Sequence, residues 1–584
     1  MLNEEIAKTF ENMARLLAFK NEDRFRIMAY ERAAVSLRDL DVDLATIARE
    51  GKLDEIPGIG KDLAGMIEEY IRTRKIKKYE QARRGIPDGL IVLMSIPGLG
   101  PKTLALFHKK LKVNDLESLK RALESGKAGK LPGFGPKKAE NLQRGIDLWT
   151  AGHKRMLLGV ALPMGENLLE QLRKIKLVTQ ADMAGSLRRK RETIGDMDMV
   201  IGSPDGARAL QECVKLPVVK QVLAIGGTRA TVIIEGGIQV DLRAVSEDCY
   251  GAALQYFTGS KQHNVHLRSI AHERGLKVNE YGVFRGEKNL GGRAEKDVYA
   301  LLDMPVMPPE IREDRGEIEA AMEGRLPRLI GLADLRGDLH AHTDYSDGKA
   351  TVEEMARHAA ELGYEYIALT DHSPSQRIAN GLDVKRLEEK IREVERVRKK
   401  LGVKPRILLG TEVDILADGK LDYPDEVLAK LDVVVASIHS LFRGSREELT
   451  KRMIAAIENR HVHILGHPTG RLIGTREPLE FDFDAVLRSA IRHGVALEVN
   501  GSMYRLDLND VMAKAAQEAG ALLAIGSDAH STAQLDQIRY GVFQAQRGWV
   551  EARSVVNTWA WPKLERWLQS RGSVRAHATR RRSA

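Results

Sequence analysis

Apolar residues recur at helical spacing through the first 150 positions. In Leu63–Ile71, for example, Leu63, Met66, Ile67, Tyr70 and Ile71 fall on one side of a 3.6-residue turn. From about Leu158 the pattern becomes mixed. The run Asp196-Met197-Asp198-Met199-Val200-Ile201 reads as a strand. Side chains alternate across a strand, so both carboxylates project from one face while Met197 and Met199 point inward. Ile233–Asp241 reads as two short strands joined at Gly236-Gly237, with Gln239, Asp241 and Arg243 on one face of the second. Sheet pairing would bring Asp241 beside Asp196 and Asp198. Prolines in Asp303–Pro309 punctuate the end of this region, and a charged helical segment, Glu310–Glu323, follows. From Leu335 onward, short β-type runs alternate with amphipathic helices, the pattern of βα units in a parallel sheet or barrel.

At 584 residues the chain has room for about four domains. Its formal charge of +9 favours a polyanionic partner. The two cysteines, Cys213 and Cys249, have no metal-site spacing, which argues for a reducing compartment and against a disulfide scaffold. The N-terminus has no apolar signal region and no run reaches membrane length. The expectation is a cytoplasmic, soluble, multidomain protein with no membrane partner.

A repeat marks the helical third. Ile56-Pro57-Gly58-Ile59-Gly60-Lys61 returns as Ile96-Pro97-Gly98-Leu99-Gly100-Pro101-Lys102 and as Leu131-Pro132-Gly133-Phe134-Gly135-Pro136-Lys137. In each, proline ends one helix, glycines expose backbone N–H groups, and the next helix presents its positive N-terminus. Such a loop holds a DNA-backbone phosphate without reading a base. One copy would pass for an ordinary turn; three copies, each followed by lysine, point to Gly58, Gly60, Gly98, Gly100, Gly133 and Gly135 as backbone contacts.

The two-carboxylate strand follows Gly185-Ser186-Leu187-Arg188-Arg189-Lys190-Arg191. Carboxylates held close repel unless a cation lies between them, and Mg²⁺ is held by one or two carboxylates plus substrate phosphates. The basic run supplies groups for those phosphates. A lone Asp-x-Asp is more often a charged strand edge, so the assignment depends on what accompanies it.

Those accompaniments resemble the family X DNA polymerases, the polymerase-beta group, over roughly residues 1–315. The three loops look like helix-hairpin-helix motifs, and Asn21–Thr73, with Ala29–Ala34, is similar to the family's small N-terminal domain. The lysine that forms a Schiff base in the vertebrate member aligns with Met66, so DNA-end binding with little or no lyase activity is expected. Gly185, Ser186, Arg189, Gly195, Asp196 and Asp198 keep the family's spacing, and Asp241 sits at the third aspartate. Tyr256-Phe257-Thr258-Gly259-Ser260, Asn264 and Arg268 match its nucleotide-pocket segment, although Lys261 and Val265 depart from the vertebrate pattern. The resemblance implies that Asp196, Asp198 and Asp241 are catalytic and hold two Mg²⁺ or Mn²⁺ ions. It also implies that Ser186, Arg189 and Gly195 hold the triphosphate, that Tyr256 and Phe257 pack on the sugar, and that Asn264 and Arg268 face the nascent pair or template.

In the C-terminal half, metal-type residues fall at the ends of the β-type runs. They are His340, His342, Asp347, His372, Glu412, His439, His467, Asp528 and His530. Catalytic groups gather at the C-terminal ends of barrel strands, and a cluster of nitrogen and oxygen ligands suits Mn²⁺ or Zn²⁺. His358, His461, His463 and His493 lie off these ends and read as ordinary core or surface residues. Asp334 to about Leu568 resembles the PHP (polymerase and histidinol phosphatase) domain, a phosphoesterase on a distorted (βα)₇ barrel. With every ligand position filled, the resemblance implies up to three ions and metal-assisted hydrolysis at a DNA 3′ end. The 3′–5′ exonuclease leads, with 3′-phosphatase and AP endonuclease as related activities.

The expected organisation is multidomain, α+β followed by α/β. Helical regions at 1–80 and 81–150 precede a nucleotidyltransferase palm with a mixed sheet at 151–244 and a helical/mixed thumb at 245–315. A linker at 316–334 leads to a (βα)₇ barrel at 335–570 and a basic tail at 571–584. The expected function is a DNA-directed DNA polymerase that fills short gaps in base excision repair and processes 3′ ends. Its partners would be gapped or nicked double-stranded DNA and dNTPs, and it would act as a monomer. The alternatives are a nucleotidyltransferase for tRNA ends or small molecules, and a DNA-binding scaffold with a working phosphoesterase and a dead polymerase. The hairpin loops and the Tyr256–Ser260 segment argue against the first, the three aspartates against the second.

Overall fold

The computed structural model describes residues 2–38, 44–49, 51–56, 58–94, 96, 99–131, 134–135, 138–140, 142–143, 146, 155–402 and 404–571. The chain forms two compact units, one built on Met1–His153 and one on Lys154–Ile473 with Glu477–Ala584. No described helix is long and apolar enough to cross a membrane.

The first unit is helical, with two apolar cores. Phe10, Tyr30, Leu37, Leu63 and Ile67 belong to one, and Leu104, Phe107, Leu119 and Phe134 to the other. Gly58 takes φ +80°, a left-handed conformation that glycine adopts without strain, and Gly60 caps the helix Lys61–Thr73 from extended backbone. Gly100 caps Pro101–Leu111 in the same way, with Pro101 at the first helical position. Gly135 accepts from the amides of Lys138 and Ala139. Gly98 and Gly133 lie outside the described residues. Met66 is buried, with its sulfur 3.6 Å from the Tyr30 hydroxyl.

The second unit opens with strand β1 (Met156–Leu157), the helix Leu158–Arg173 and strands β2 (Gln180–Met183), β3 (Thr193–Ile194) and β4 (Met197–Gly202). Strands β5 (Val219–Ile225), β6 (Arg229–Ile234) and β7 (Gln239–Val245) complete a mixed five-stranded sheet in the order β2-β4-β7-β6-β5. The β6–β7 hairpin turns at Gly236 and Gly237, both at positive φ. Gly185–Arg188 forms a short helix. Helices Tyr250–Thr258 and Lys261–Glu273 follow, then an antiparallel sheet of β8 (Lys277–Asn279), β9 (Gly282–Arg285) and β10 (Lys288–Gly291). The charged segment Glu310–Glu323 is not one helix. Asp314 at φ +57° and Gly316 at φ +97° break it, and only Glu317–Met322 is α-helical.

The barrel strands are β11 (Gly337–Ala341), β12 (Tyr366–Leu369), β13 (Arg406–Asp414), β14 (Val433–Ser437), β15 (Ile464–Leu465), β16 (Ala496–Asn500) and β17 (Leu523–Gly526). All pair in parallel in chain order, and a bridge between Ala341 and Ala529 brings the last strand back to the first. Six of the seven were legible as β-type runs. The missed strand, β16, carries no expected ligand at its end. Two helices between strands start on capping boxes, Thr351 with Glu354 and Ser445 with Glu448, and others on the side chains of Asp383, Asp482 and Asn509. Arg571, expected as the first residue of the basic tail, is buried and donates to the carbonyls of Val462, His493, Ile457 and Asn459. The rest of the tail, 572–584, lies outside the described residues.

Candidate active sites

In the palm, β4 and β7 run parallel in a register that pairs Asp198 with Asp241. Paired residues of adjacent strands share a face, so the two carboxylates project together with Asp196, two residues away. Met197 and Met199 are fully buried on the other face. Burial first, then the charges of Asp196 and Asp241, raise the Asp198 carboxyl to about 6. Thr231 Oγ1 donates to Asp241 at 2.6 Å, and Arg229 Nη2 lies 2.9 and 3.0 Å from its two oxygens. Among the described residues the three aspartates do not gather into a group of ligand atoms within 4.8 Å. The raised Asp198 carboxyl marks a place where positive charge is favoured.

The Gly185–Arg191 loop leans directly on these carboxylates. Gly185 has φ +57°, and a Cβ there would lie 2.2 Å from Asp198 Oδ2, so only glycine fits. A Cβ at Gly195 would meet Arg155 Nη1 at 2.9 Å. Ser186 is half-buried. Arg189 is folded onto the Thr258 carbonyl and onto Glu313, whose Oε1 accepts from Nε at 3.1 Å. Arg188 grips Glu295 with both guanidinium nitrogens at 2.8 Å and donates to Thr258 Oγ1.

The helix Tyr250–Thr258 ends at Gly259, φ +68°, from which the next helix starts with Ser260 capping His263 N. Tyr256 and Phe257 sit edge to face, and Arg243 lies over the Phe257 ring at 4.9 Å. Asn264 donates to Tyr256 O at 2.7 Å and accepts from Gln255 Nε2 at 2.9 Å. Its carboxamide bolts the two helices together. Arg268 Nε donates to Asn264 O at 3.2 Å.

All nine expected barrel ligands meet at the C-terminal mouth, around Glu412. Its Oε1 lies 2.8 Å from His467 Nε2 and 3.1 Å from His439 Nε2. Its Oε2 lies 3.1 Å from His372 Nδ1, 3.4 Å from His340 Nε2 and 3.6 Å from His342 Nε2. Asp528 Oδ1 is 3.3 Å from His342 Nε2. Asp347 Oδ1 is 3.4 Å from His530 Nε2 and 3.7 Å from His372 Nε2. Three overlapping groups have ligand atoms within 4.8 Å of one another: His342, Asp347, His372 and His530; His340, His342 and Glu412; and His372, Glu412 and His439.

These short approaches are not hydrogen bonds. Glu412 Oε1, both nitrogens of His342 and of His467, His340 Nε2 and His372 Nδ1 are buried and have no hydrogen-bond partner among the described residues. Buried polar atoms are ordinarily paired, and so many orphans aimed at shared points fit divalent cations between them. The imidazole and carboxylate donor set suits borderline metals. Burial holds the His372 imidazole down to about 3, whereas on His530 burial is outweighed by Asp347 and Asp528, which raise it to about 10.

Sequence reasoning missed the residues that orient these ligands. Glu498, in mid-β16, lies 2.6 Å from His340 Nδ1 and accepts from the His467 amide at 2.7 Å. Asp414 lies 2.6 Å from His439 Nδ1. Asp371 accepts from Thr343 and Ser346 in the loop that bears Asp347, and pairs with the buried Lys390 at 2.8 Å. Carboxylates behind ligating histidines fix tautomer and ring orientation. Alternation along Ala496–Asn500 was the available signal for Glu498. His463, read as a core residue, is buried with Nδ1 accepting from Val434 N and Nε2 3.0 Å from Leu568 O.

Family models described as a helix-hairpin-helix domain, a SAM-like helix-hairpin-helix tandem, the DNA polymerase beta thumb and the PHP domain match residues 1–76, 90–147, 253–313 and 338–502. The chain is 38% identical over 573 residues to the DNA polymerase/3′-5′ exonuclease PolX of Bacillus subtilis (strain 168), covering 97% of this chain and 100% of that protein. A protein of Thermoanaerobacter sp. (strain X514) named "Probable phosphatase" is 33% identical over 237 residues, 38% of this chain and 89% of its own length. The "Probable phosphatase YcdX" of Escherichia coli O127:H6 is 33% identical over 208 residues, 33% of this chain and 78% of its own length.

Proposed function

The chain belongs to the PolX family, bacterial family X DNA polymerases with a C-terminal PHP domain, and from that premise we propose that it fills short gaps in DNA during repair and trims 3′ ends with the same polypeptide. The observation that carries the proposal is the coexistence of two separate acidic centres, one on the palm sheet and one at the barrel mouth.

At the palm, Asp196, Asp198 and Asp241 would hold Mg²⁺ or Mn²⁺. Asp241 already faces Asp198 across β4 and β7, held by Thr231 and Arg229. Ser186, Arg189 and Gly195 would receive the triphosphate of an incoming dNTP, and Arg189 would exchange the Thr258 carbonyl and Glu313 for phosphate oxygens. Tyr256 and Phe257, with Arg243 stacked behind, would bound the sugar; Asn264 fixes their helix, and Arg268 would face the template. At the barrel mouth, the nine ligands around Glu412 would hold up to three Mn²⁺ or Zn²⁺ ions, and Glu498 and Asp414 would keep His340 and His439 in the ligating tautomer. Bound divalent ions supply charge neutralisation at phosphorus and activation of the attacking oxygen. Gly58, Gly60, Gly100 and Gly135, with Gly98 and Gly133, would grip the backbone of gapped DNA. The proposal extends to a monomer working in the cytoplasm, with 3′-phosphatase and AP endonuclease as further activities of the barrel.

The test uses a single-nucleotide-gapped duplex, dNTPs and Mg²⁺ or Mn²⁺. Asp198→Ala should abolish extension and spare 3′ degradation, and His340→Ala should do the reverse. Loss of both activities in both variants would refute two separate centres.

A further inference from the structure

The loop Ser502–Leu508 follows β16 and stands between the palm and the barrel mouth. Its apolar side is part of the palm core: Leu506 is fully buried in the cluster that contains Leu158, Leu162 and Ile194, with Met503 packed on the same cluster. The fit against the palm helix is close, since a Cβ at Gly159 would meet Met503 Cβ at 2.5 Å. Its polar side belongs to the mouth. Arg505 Nε lies 3.5 Å from Asp528 Oδ2, Asp507 accepts from Thr469 N and Oγ1, and Leu508 N donates to Glu498 O. Leu506 takes φ +44°, a left-handed conformation that a leucine holds only when its surroundings impose it.

One side chain imposes it from both sides. Arg471, nearly buried, donates through Nε to Arg505 O at 2.8 Å and through Nη2 to Leu506 O at 2.6 Å. The same Nη2 donates at 2.7 Å to Glu192, a palm residue directly after the basic loop. Glu192 is in turn fixed through its own carbonyl, which accepts from Leu158 N at 3.0 Å.

We infer that Glu192 of the palm is a positioning residue for the nuclease: through Arg471 it sets the Arg505–Asp507 segment and so the Asp528 carboxylate at the barrel mouth. The nuclease centre is then completed by the polymerase domain. This inference rests on the nuclease reading above.

The test uses the full chain with Glu192→Gln and Glu192→Asp. Measurements are degradation of a single-stranded oligonucleotide, Mn²⁺ titration by calorimetry, hydrogen exchange of the 501–508 peptide, and gap extension. For Glu192→Gln the expected result is a kcat for degradation lower by roughly tenfold, KM and Mn²⁺ stoichiometry unchanged, and faster exchange across 501–508. Glu192→Asp should recover part of the rate. Unchanged exchange with wild-type degradation overturns the inference, as does an equal fall in gap extension, which would mark a general disturbance of the palm. A wild type that degrades no 3′ end sinks the nuclease reading alone, because exchange at 501–508 still reports the relay.

Discussion

Replacing Glu295 by glutamine keeps the shape of the side chain and removes one charge from between two arginines. Arg188 holds both carboxylate oxygens at 2.8 Å, and Arg312 Nη1 holds Oε1 at 2.5 Å. Arg312 is completely buried, and its other donors go to the Met307 carbonyl. Desolvation alone would raise the Glu295 carboxyl, but Arg188 and Arg312 together bring it down to about 2 from an ordinary 4.5. A carboxyl with a depressed folded pKa stabilises the fold above its unfolded pKa, and that contribution fades as pH falls through the folded value. The depression corresponds to about 3 kcal/mol at neutral pH. Removing one member of a buried ion pair costs a similar amount, about 3–5 kcal/mol, because the partner charge is left buried.

Glu295→Gln should therefore destabilise the region around residues 250–322 by about 3 kcal/mol at pH 7. The gap from wild type should shrink to less than about half by pH 3, where the wild-type carboxyl in the unfolded chain is already protonated. Pulse-labelling hydrogen exchange after equilibration in urea, read on peptides from 261–273 and 295–322, isolates this region from the barrel. Because Arg188 belongs to the Gly185–Arg191 loop, the KM for dNTP should rise in parallel. A gap below about 1 kcal/mol at neutral pH, or one that does not narrow between pH 7 and pH 3, would refute the reasoning.

Gly185→Ala places a methyl group 2.2 Å from Asp198 Oδ2 at φ +57°; gap extension should be lost while degradation of a 3′ end continues at the wild-type rate. Lys390→Met leaves the Asp371 carboxylate buried without its 2.8 Å partner, so the loop bearing Asp347 should shift and Mn²⁺ affinity should fall by roughly tenfold or more in calorimetry; unchanged affinity would show that Asp371 needs only Thr343 and Ser346. Met66 presents a buried thioether to Tyr30, and borohydride with a 5′-deoxyribose phosphate substrate should trap no protein–DNA adduct. An adduct that disappears on mutating a nearby lysine would overturn that expectation.

What could be read along the chain was whatever chemistry restricts to a few residue types. Asp196, Asp198 and Asp241 were legible as one face because alternation and a Gly-Gly hairpin put them on the same side of neighbouring strands, and the β4–β7 register pairs Asp198 with Asp241. The barrel cluster was legible because histidine and carboxylate at the ends of successive β-type runs meet at one mouth. Glu498 escaped because it sits in the middle of its strand, on a β-run that ends without a ligand, and its contact with His340 spans 158 positions. Glu313 and Asp510 escaped for a different reason. They are two acids in a chain with 82, and only the folded chain shows both of them holding Arg547, Glu313 from the thumb at 3.0 Å and Asp510 from within the barrel at 2.6 Å. A metal admits few ligand types, so its ligands announce themselves, whereas an ion pair between domains can be built from any acid and base that meet. Glu192 and Arg471 meet across 279 positions, and no local pattern marks either. The two centres are therefore readable one at a time, while the dependence of one on the other resides in contacts that only the packed interface selects.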